Sequence, residues 1–509
     1  MNFALDFRYI IAVCRLHLYG CILMHEAALE VCRVPQRFAA DDSRVMTRFF
    51  FPGDEHRAKS IVQRVMELSD VEVDDLLDQV LRNFSSRHHD IESVLSEHYV
   101  RLGNHLPLNG YIDLQRQLLI GAYFTMEYAI EAAALFNPSI VQAPNQGAVP
   151  DGAMRFLMSL RATGEGHISS IVFRTGILDR KGVLRFDPPS RFARRVRVVE
   201  DRLYDNKTFR LKLDEMGAYN QLAQSILDRL DPQFPMSGLN DVIDGLRNEL
   251  EVPQALQETS DNMIWLARSN YHLKVPPDAD PSELVIFPSS ENESHGIEDV
   301  RLVRFIEDDG SVLYFGTYTA YNGHCILPQI IETEDFQSVK VHTMNGRYAQ
   351  NKGMALFPRR IDGWFMNISR IDGENLYLMR SDNIRFWNEA RILQTPRFPW
   401  EFVQIGNCGS PLETEAGWLL LTHGVGPMRQ YCIGASLLDL NDPSKIIGQL
   451  REPMLVPTEG ERDGYVPNVV YSCGALIHNG QVVIPYAVSD SATTFATVPL
   501  DNLLSHLAG

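Results

Sequence analysis

The sequence predicts a mainly β protein with a helical domain in front and a helical insertion inside, and three observations carry that prediction. The first is a change of character at Phe136-Asn-Pro-Ser-Ile140. Before it, apolar residues recur at helical spacing; after it, Pro and Gly become frequent and strand-like runs such as Met154-Arg-Phe-Leu-Met-Ser-Leu160 appear. The second is a repeated Gly-centred turn ahead of an aromatic or aliphatic strand, at Asp309-Gly310, Asp362-Gly363, Ala416-Gly417 and Asn479-Gly480. The spacings of 53, 54 and 63 residues are near the length of a four-stranded blade with one long loop. Asp151-Gly152 is a fifth candidate. The third is that the gap from 152 to 310 is too long for one blade but contains two helical periods, at 213–230 and 239–250. Together these predict a five-bladed β-propeller over residues 135–509, interrupted by a helical insertion at about 213–275.

In chain order, residues 1–54 form an N-terminal extension without a defined class. Met1 to Met24 is apolar in patches, but Asp6, Arg8, Arg15 and His17 interrupt it and no small-residue cleavage site follows. It reads neither as a signal peptide nor as a membrane span, which needs about 20 nearly uncharged residues; Met24 is an alternative start. Residues 55–134 read as a helical domain. Ser69 and Glu72 have the spacing of a capping box, 71–84 and 91–101 repeat apolar residues at helical spacing, and 118–135 reads as a buried helix. Trp364, Trp387 and Trp418 follow turns, where an aromatic packs between sheets more often than it stacks on a sugar.

Composition narrows the function. The 509-residue chain is 45% hydrophobic, enough for large cores. A net charge of −18 and a pI near 5.3 argue against nucleic acid as a partner. Seven cysteines, an odd number with no Cys-x-x-Cys pair, indicate neither a zinc site nor a disulfide framework, so a reducing, cytoplasmic location is expected. His88-His89-Asp90 lacks further ligands at metal-site spacing, and no Gly-x-Ser-x-Gly elbow or phosphate-cradling Gly-rich loop with Lys occurs. No metal and no cofactor are expected.

The segment Ser294-His-Gly-Ile-Glu-Asp299-Val-Arg301 puts two adjacent carboxylates at the start of a strand. In a regular strand Glu298 and Asp299 point to opposite faces, so one of them can face a cleft. The segment resembles the Gly-x-Glu-Asp-x-Arg signature of the β-mannoside phosphorylases and β-mannosidases of glycoside hydrolase family 130. Four further runs match that family in order: Asn351-Lys-Gly-Met-Ala-Leu-Phe-Pro358 with Ser369-Arg370, Trp400-Glu-Phe-Val-Gln-Ile-Gly406 through Gly417-Trp-Leu-Leu-Leu-Thr-His-Gly-Val425, Pro467-Asn-Val-Val-Tyr-Ser-Cys-Gly474, and Ser489-Asp490.

The resemblance implies a five-bladed propeller and an inverting phosphorolysis of a β-mannoside, with inorganic phosphate as co-substrate and α-mannose 1-phosphate as product. It implies Asp299 as general acid, acting through a hydroxyl of the bound mannose. That task needs a raised pKa, which a neighbouring carboxylate in a partly dry site supplies; Glu298 is expected to pair with a nearby Arg. At the positions of the family's phosphate site stand His167, Lys352, Arg370 and His423, and four converging positives suit a dianion. Asn137 and Arg161 match its first-blade sugar contacts, and Asp490 the late acid that holds mannose hydroxyls. Gln404 stands where the family's phosphorylases have a lysine, and His167 where an arginine is expected. These departures leave open a β-mannosidase with Glu413 or Glu415 as base, and a non-catalytic carbohydrate-binding propeller. The helical additions suit either a cover over one end of the propeller or a homo-oligomer interface.

Overall fold

The computed structural model describes residues 29–108, 110–199, 203–249, 253–290, 293–321 and 326–508. The alternative start at Met24 and Cys14, Cys21 and Cys325 lie outside the described residues.

The Gly-turn repeat has a simple structural counterpart. Gly152, Gly310, Gly363, Gly417 and Gly480 all have positive φ, which glycine adopts without a Cβ clash. Each sits in the turn that precedes the long second strand of an antiparallel sheet. The first sheet runs Ala134–Gln142, Met154–Thr163, Ser169–Leu178 and Leu184–Phe186. The second, continuous with the first through a single parallel pair at Gly296 and Ser169, runs Gly296–Ile306, Val312–Tyr321, Ile326–Thr333 and Ser338–Thr343. The third is Lys352–Leu356, Phe365–Arg370, Leu376–Ser381 and Glu389–Gln394. The fourth pairs Gln404–Asn407 with Gly417–Val425, then Tyr431–Leu438 and Ile446–Gln449. The fifth is Val470–Tyr471, Gln481–Val488 and Ala492–Pro499, completed by Cys32–Phe38 from the start of the described chain. From the second sheet on, each first strand packs beside the preceding sheet, and Gln481–Val488 of the fifth packs against Ala134–Gln142 of the first. The apolar layers between sheets hold Trp387 and Trp418, both fully buried.

The chain is therefore mainly β with helical additions, and the domain boundaries shift from those expected. Helices Glu55–Met66, Asp70–Phe84, Ile91–Gly103 and Leu114–Tyr123 form the N-terminal helical part, with the Ser69 and Glu72 capping box in place. The buried helix expected over 118–135 stops at Tyr123. Thr125–Glu131 is a strand paired with Asp41–Phe49, because Met126, Tyr128 and Ile130 alternate with Thr125, Glu127 and Ala129 at the two-residue period of a strand. Of residues 1–54, the described part contributes two strands to other units, Cys32–Phe38 to the fifth sheet and Asp41–Phe49 to the pair with Thr125–Glu131. The insertion comprises helices Asn206–Glu215, Gln221–Asp228, Met236–Glu249 and Pro253–Arg268, not 213–275. Tyr271–Lys274 already belongs to the second sheet, paired with Ser338–Thr343.

A buried ionic triad ties the N-terminal part to the first sheet. Glu131, 0% exposed, forms an ion pair with Arg44, whose Nε lies 3.0 Å away, and accepts a hydrogen bond from Arg174 Nη2 at 2.7 Å. Arg44 also donates from its two Nη atoms to the Ser190 and Ser282 carbonyls at 2.6 Å each, so its charge meets neutral acceptors as well as Glu131. No helix among the described residues is long and apolar enough to cross a membrane.

Candidate functional site

The site is built where the first strands of three sheets are bulged. The pairing of Ala134–Gln142 shifts between Phe136 and Ser139, that of Gly296–Ile306 between Glu298 and Arg301, and that of Lys352–Leu356 between Lys352 and Ala355. Asn137, Asp299 and Gly353 take positive φ at these bulges. The bulge overturns the alternation expected for Glu298 and Asp299: an extra residue breaks the two-residue period, and both carboxylates meet the same arginine. Arg161 donates through Nη2 to Glu298 Oε1 at 2.9 Å and through Nη1 to Asp299 Oδ1 at 3.3 Å. Asn137 Nδ2 donates to Asp299 Oδ1 at 2.5 Å, and Lys352 Nζ to Glu298 Oε2 at 2.6 Å. Glu298 is thus paired with an Arg, and with Lys352 as well.

The electrostatics differ from expectation. Burial pushes the Asp299 carboxyl up, but Arg161, Arg301 and Lys352 with the Asn137 hydrogen bond outweigh it and hold it below the usual carboxylate range. The carboxyl that is raised is Asp490, in a positive-φ turn after Gln481–Val488. Burial first, then the Asp299 charge, push it up to about 6.

Arg370 and Lys352 are cross-strand neighbours. Arg370 Nη1 lies 3.5 Å from His423 Nε2, and no carboxylate among the described residues lies within ion-pair distance of Arg370. Its buried Nε has no hydrogen-bond partner there either. His423 is 2% exposed on the strand Gly417–Val425. Its Nδ1 faces the Asn407 carbonyl at 3.1 Å, which can only accept, so Nδ1 carries the proton. Burial and the neighbouring Arg370 and Arg301 hold its pKa well below the usual value. His423 is therefore neutral, and the expected count of four positives is corrected. Tyr431 stacks on its ring at 5.8 Å, and Gln404 Nε2 donates to the Tyr431 hydroxyl at 3.3 Å.

His167 stands apart from this group. It is exposed in the turn before Ser169–Leu178 and stacks on Tyr465, itself 75% exposed, at 6.0 Å. Glu413 is bound by Arg359 at 2.6 Å and pairs with Trp418, five residues along the strand from His423. At 3.3 Å per residue that is about 16 Å, too far for a base acting at the Asp299 cluster. Glu415 is exposed in the adjoining turn. Sequence reasoning missed Arg301, Asn407 and Tyr471, which join Asp299 to the His423 side. Arg301, the last residue of the carboxylate motif, and Tyr471, in the run 467–474, stand in the family-like segments without a role being read from them, and Asn407 directly follows Gly406. Among the described residues no cluster of three His, Cys, Asp or Glu is placed to hold a metal ion.

The sequence pattern described as beta-1,4-mannooligosaccharide phosphorylase matches residues 276–508. The 1,2-beta-oligomannan phosphorylase of Thermoanaerobacter sp. (strain X514) is 30% identical over 230 residues, covering 43% of this chain and 73% of that one. The chain belongs to this family. A beta-1,2-mannobiose phosphorylase of Listeria innocua is 28% identical over 257 residues, 49% of this chain and 70% of that one. Among solved structures, the Listeria innocua beta-1,2-mannobiose phosphorylase in complex with beta-1,2-mannobiose aligns with 75% of this chain and 93% of its own, at 20% identity and a TM-score of 0.43. The family pattern begins after the first sheet, whereas Asn137 and Arg161 come from that sheet and reach Asp299 across the helical insertion.

Proposed function

We propose that this protein is an inverting glycoside phosphorylase acting on β-mannosides, built on a five-bladed propeller whose blades are the five sheets. The return of the fifth sheet to the first, and its completion by Cys32–Phe38, support the closed ring. The observation that carries the function is that one cluster holds a buried carboxylate, Asp299, and an arginine with no carboxylate partner among the described residues, Arg370.

In the proposed reaction a phosphate oxygen attacks the anomeric carbon of mannose as its bond to the leaving oxygen breaks. The leaving oxygen takes a proton that originates on Asp299, passed through a mannose hydroxyl as the family resemblance implies. Mannose is transferred to phosphate with inversion, giving α-mannose 1-phosphate, and Asp299 is left ionised. Asn137, Arg161 and Asp490 surround the place of the mannose ring; Lys352 and Arg370 supply the charge for phosphate, with His423 and Gln404 as neutral polar neighbours. A phosphate dianion beside these cations offsets their pull on Asp299 and raises its pKa. The acid is thus protonated in the loaded complex although it is ionised in the empty one.

The relatives named for β-1,2-linked mannosides make β-1,2-mannobiose the first substrate to try. Incubation with and without phosphate tests the reading: mannose 1-phosphate formed only with phosphate supports it, and free mannose formed equally in both overturns it.

A further inference from the structure

Arg301 is handled unlike the other buried arginines of this protein. Arg44 and Arg174 share Glu131, but Arg301, 2% exposed, has no carboxylate oxygen within ion-pair distance among the described residues. Its three contacts are neutral acceptors: the Asp299 carbonyl to Nη1 at 3.0 Å, the Asn407 Oδ1 to Nε at 3.1 Å and the Tyr471 hydroxyl to Nη2 at 2.5 Å. Burying a guanidinium without a counter-ion is costly, so a purely structural role is a poor explanation. Each acceptor belongs to a different sheet. The Asp299 carbonyl closes the bulge of the second, Asn407 ends the first strand of the fourth, and Tyr471 lies in the fifth. Asn407 in turn donates to the Gly353 carbonyl at 2.5 Å, beside Lys352, and its own carbonyl fixes the His423 tautomer.

We infer that Arg301 is a positioning residue for the reaction proposed above: it seats Asp299 in its bulge and, through Asn407, aligns that carboxyl with the phosphate-side residues Lys352 and His423. The inference rests on the phosphorylase reading. Arg301 also supplies part of the positive field that keeps Asp299 ionised before phosphate arrives. The groups facing Asp299 from the surrounding elements are Arg161 and Lys352, the acids Glu298 and Asp490, and the uncharged His423, Tyr471 and Cys473. Of the cations, Arg161 and Lys352 are ion-paired with Glu298. Arg301 has no such partner among the described residues, so its removal is felt directly at Asp299.

Two variants separate position from charge, with rates divided by the number of β-1,2-mannobiose binding sites found by titration calorimetry, so that misfolded protein does not count. Arg301→Lys keeps the charge but cannot span three acceptors. Its kcat per site is expected to fall at least tenfold, with KM for phosphate and for mannobiose within about threefold of wild type and an unchanged pH profile. Arg301→Gln removes the charge, and the alkaline limb of its kcat/KM profile, where the acid loses its proton, is expected to move to higher pH. A wild-type rate per site in Arg301→Lys overturns the inference, as does a limb in Arg301→Gln within 0.2 pH units of wild type. If Arg301→Gln yields no binding sites, Arg301→Lys alone decides. Absence of phosphate-dependent cleavage by the wild type overturns the functional reading and this inference together, whereas active wild type with unaffected variants overturns the inference alone.

Discussion

Replacing Arg370 by alanine removes a guanidinium that is bound to no carboxylate among the described residues and whose buried Nε, unlike that of Arg301, has no hydrogen-bond partner there, so the loss falls on the incoming anion and not on an internal ion pair. A charge-assisted hydrogen bond to an anion contributes about 1.5–3 kcal/mol. The competing contact, Arg370 Nη1 to His423 Nε2 at 3.5 Å, is long and is readily given up. At about 1.4 kcal/mol per factor of ten, KM for phosphate should therefore rise about 10- to 150-fold. On the proposed reading Asn137, Arg161 and Asp490 hold the mannose, so KM for β-1,2-mannobiose should stay within about twofold. The assay is initial-rate formation of mannose 1-phosphate against phosphate concentration at saturating disaccharide, in variant and wild type. A KM for phosphate within twofold of wild type in a folded variant would refute the assignment of this side of the cluster to phosphate.

Asp299→Asn keeps the side-chain shape and a residue type that tolerates positive φ; kcat should drop about 10²–10⁴-fold with little loss of secondary structure by circular dichroism, and retained turnover would end the general-acid assignment. Gln404→Lys should tighten phosphate about tenfold for each 1.4 kcal/mol gained, and a flat response would mean that the Gln404 amide lies outside the phosphate cleft. Glu413→Gln should leave kcat and both KM values unchanged and cost no more than about 1 kcal/mol in unfolding, since its partner Arg359 is solvent-exposed. The Asp490 carboxyl, raised to about 6 from an ordinary 3.8, binds its proton more tightly in the folded protein than in the unfolded chain. Its contribution is thus full below pH 3.8 and lost as pH rises through 6, by up to about 3 kcal/mol. Asp490→Asn should remove that loss, so the gain in Tm over wild type should be larger at pH 7.5 than at pH 4.5; an equal gain at both would refute the burial of this charge.

The parts of the fold legible in the sequence were those written in local chemistry. Gly152, Gly310, Gly363, Gly417 and Gly480 announce turns because only glycine takes those backbone angles without strain, and Ser69 with Glu72 announces a helix start. The strand Thr125–Glu131 was missed because its helix-like composition is overruled by pairing with Asp41–Phe49, a partner about 80 residues away. In the site, the motif picked out Asp299, Lys352, Arg370 and His423, but not their charges. Whether His423 is a cation depends on the carbonyl its Nδ1 meets, and whether Asp299 is raised or lowered depends on Arg161 and Lys352 from other strands as well as on Arg301 two residues along its own. The shared orientation of Glu298 and Asp299 was hidden for a related reason, since a bulge leaves no mark on alternation until the partner strand is known.

The buried triad of Arg44, Glu131 and Arg174 bears on how the protein can be cut. A truncated chain beginning at the first sheet would leave Arg174 buried with no counter-ion, a defect of about 3–5 kcal/mol when one member of such a set is removed. The same cut would strip Cys32–Phe38 from the fifth sheet and expose the backbone of Ala492–Pro499 as a free edge, open to pairing with other molecules. For expression and crystallisation, then, the segment ahead of the catalytic sheets is part of their folding unit, and a shortened version is expected to aggregate before any effect on sugar turnover can be read.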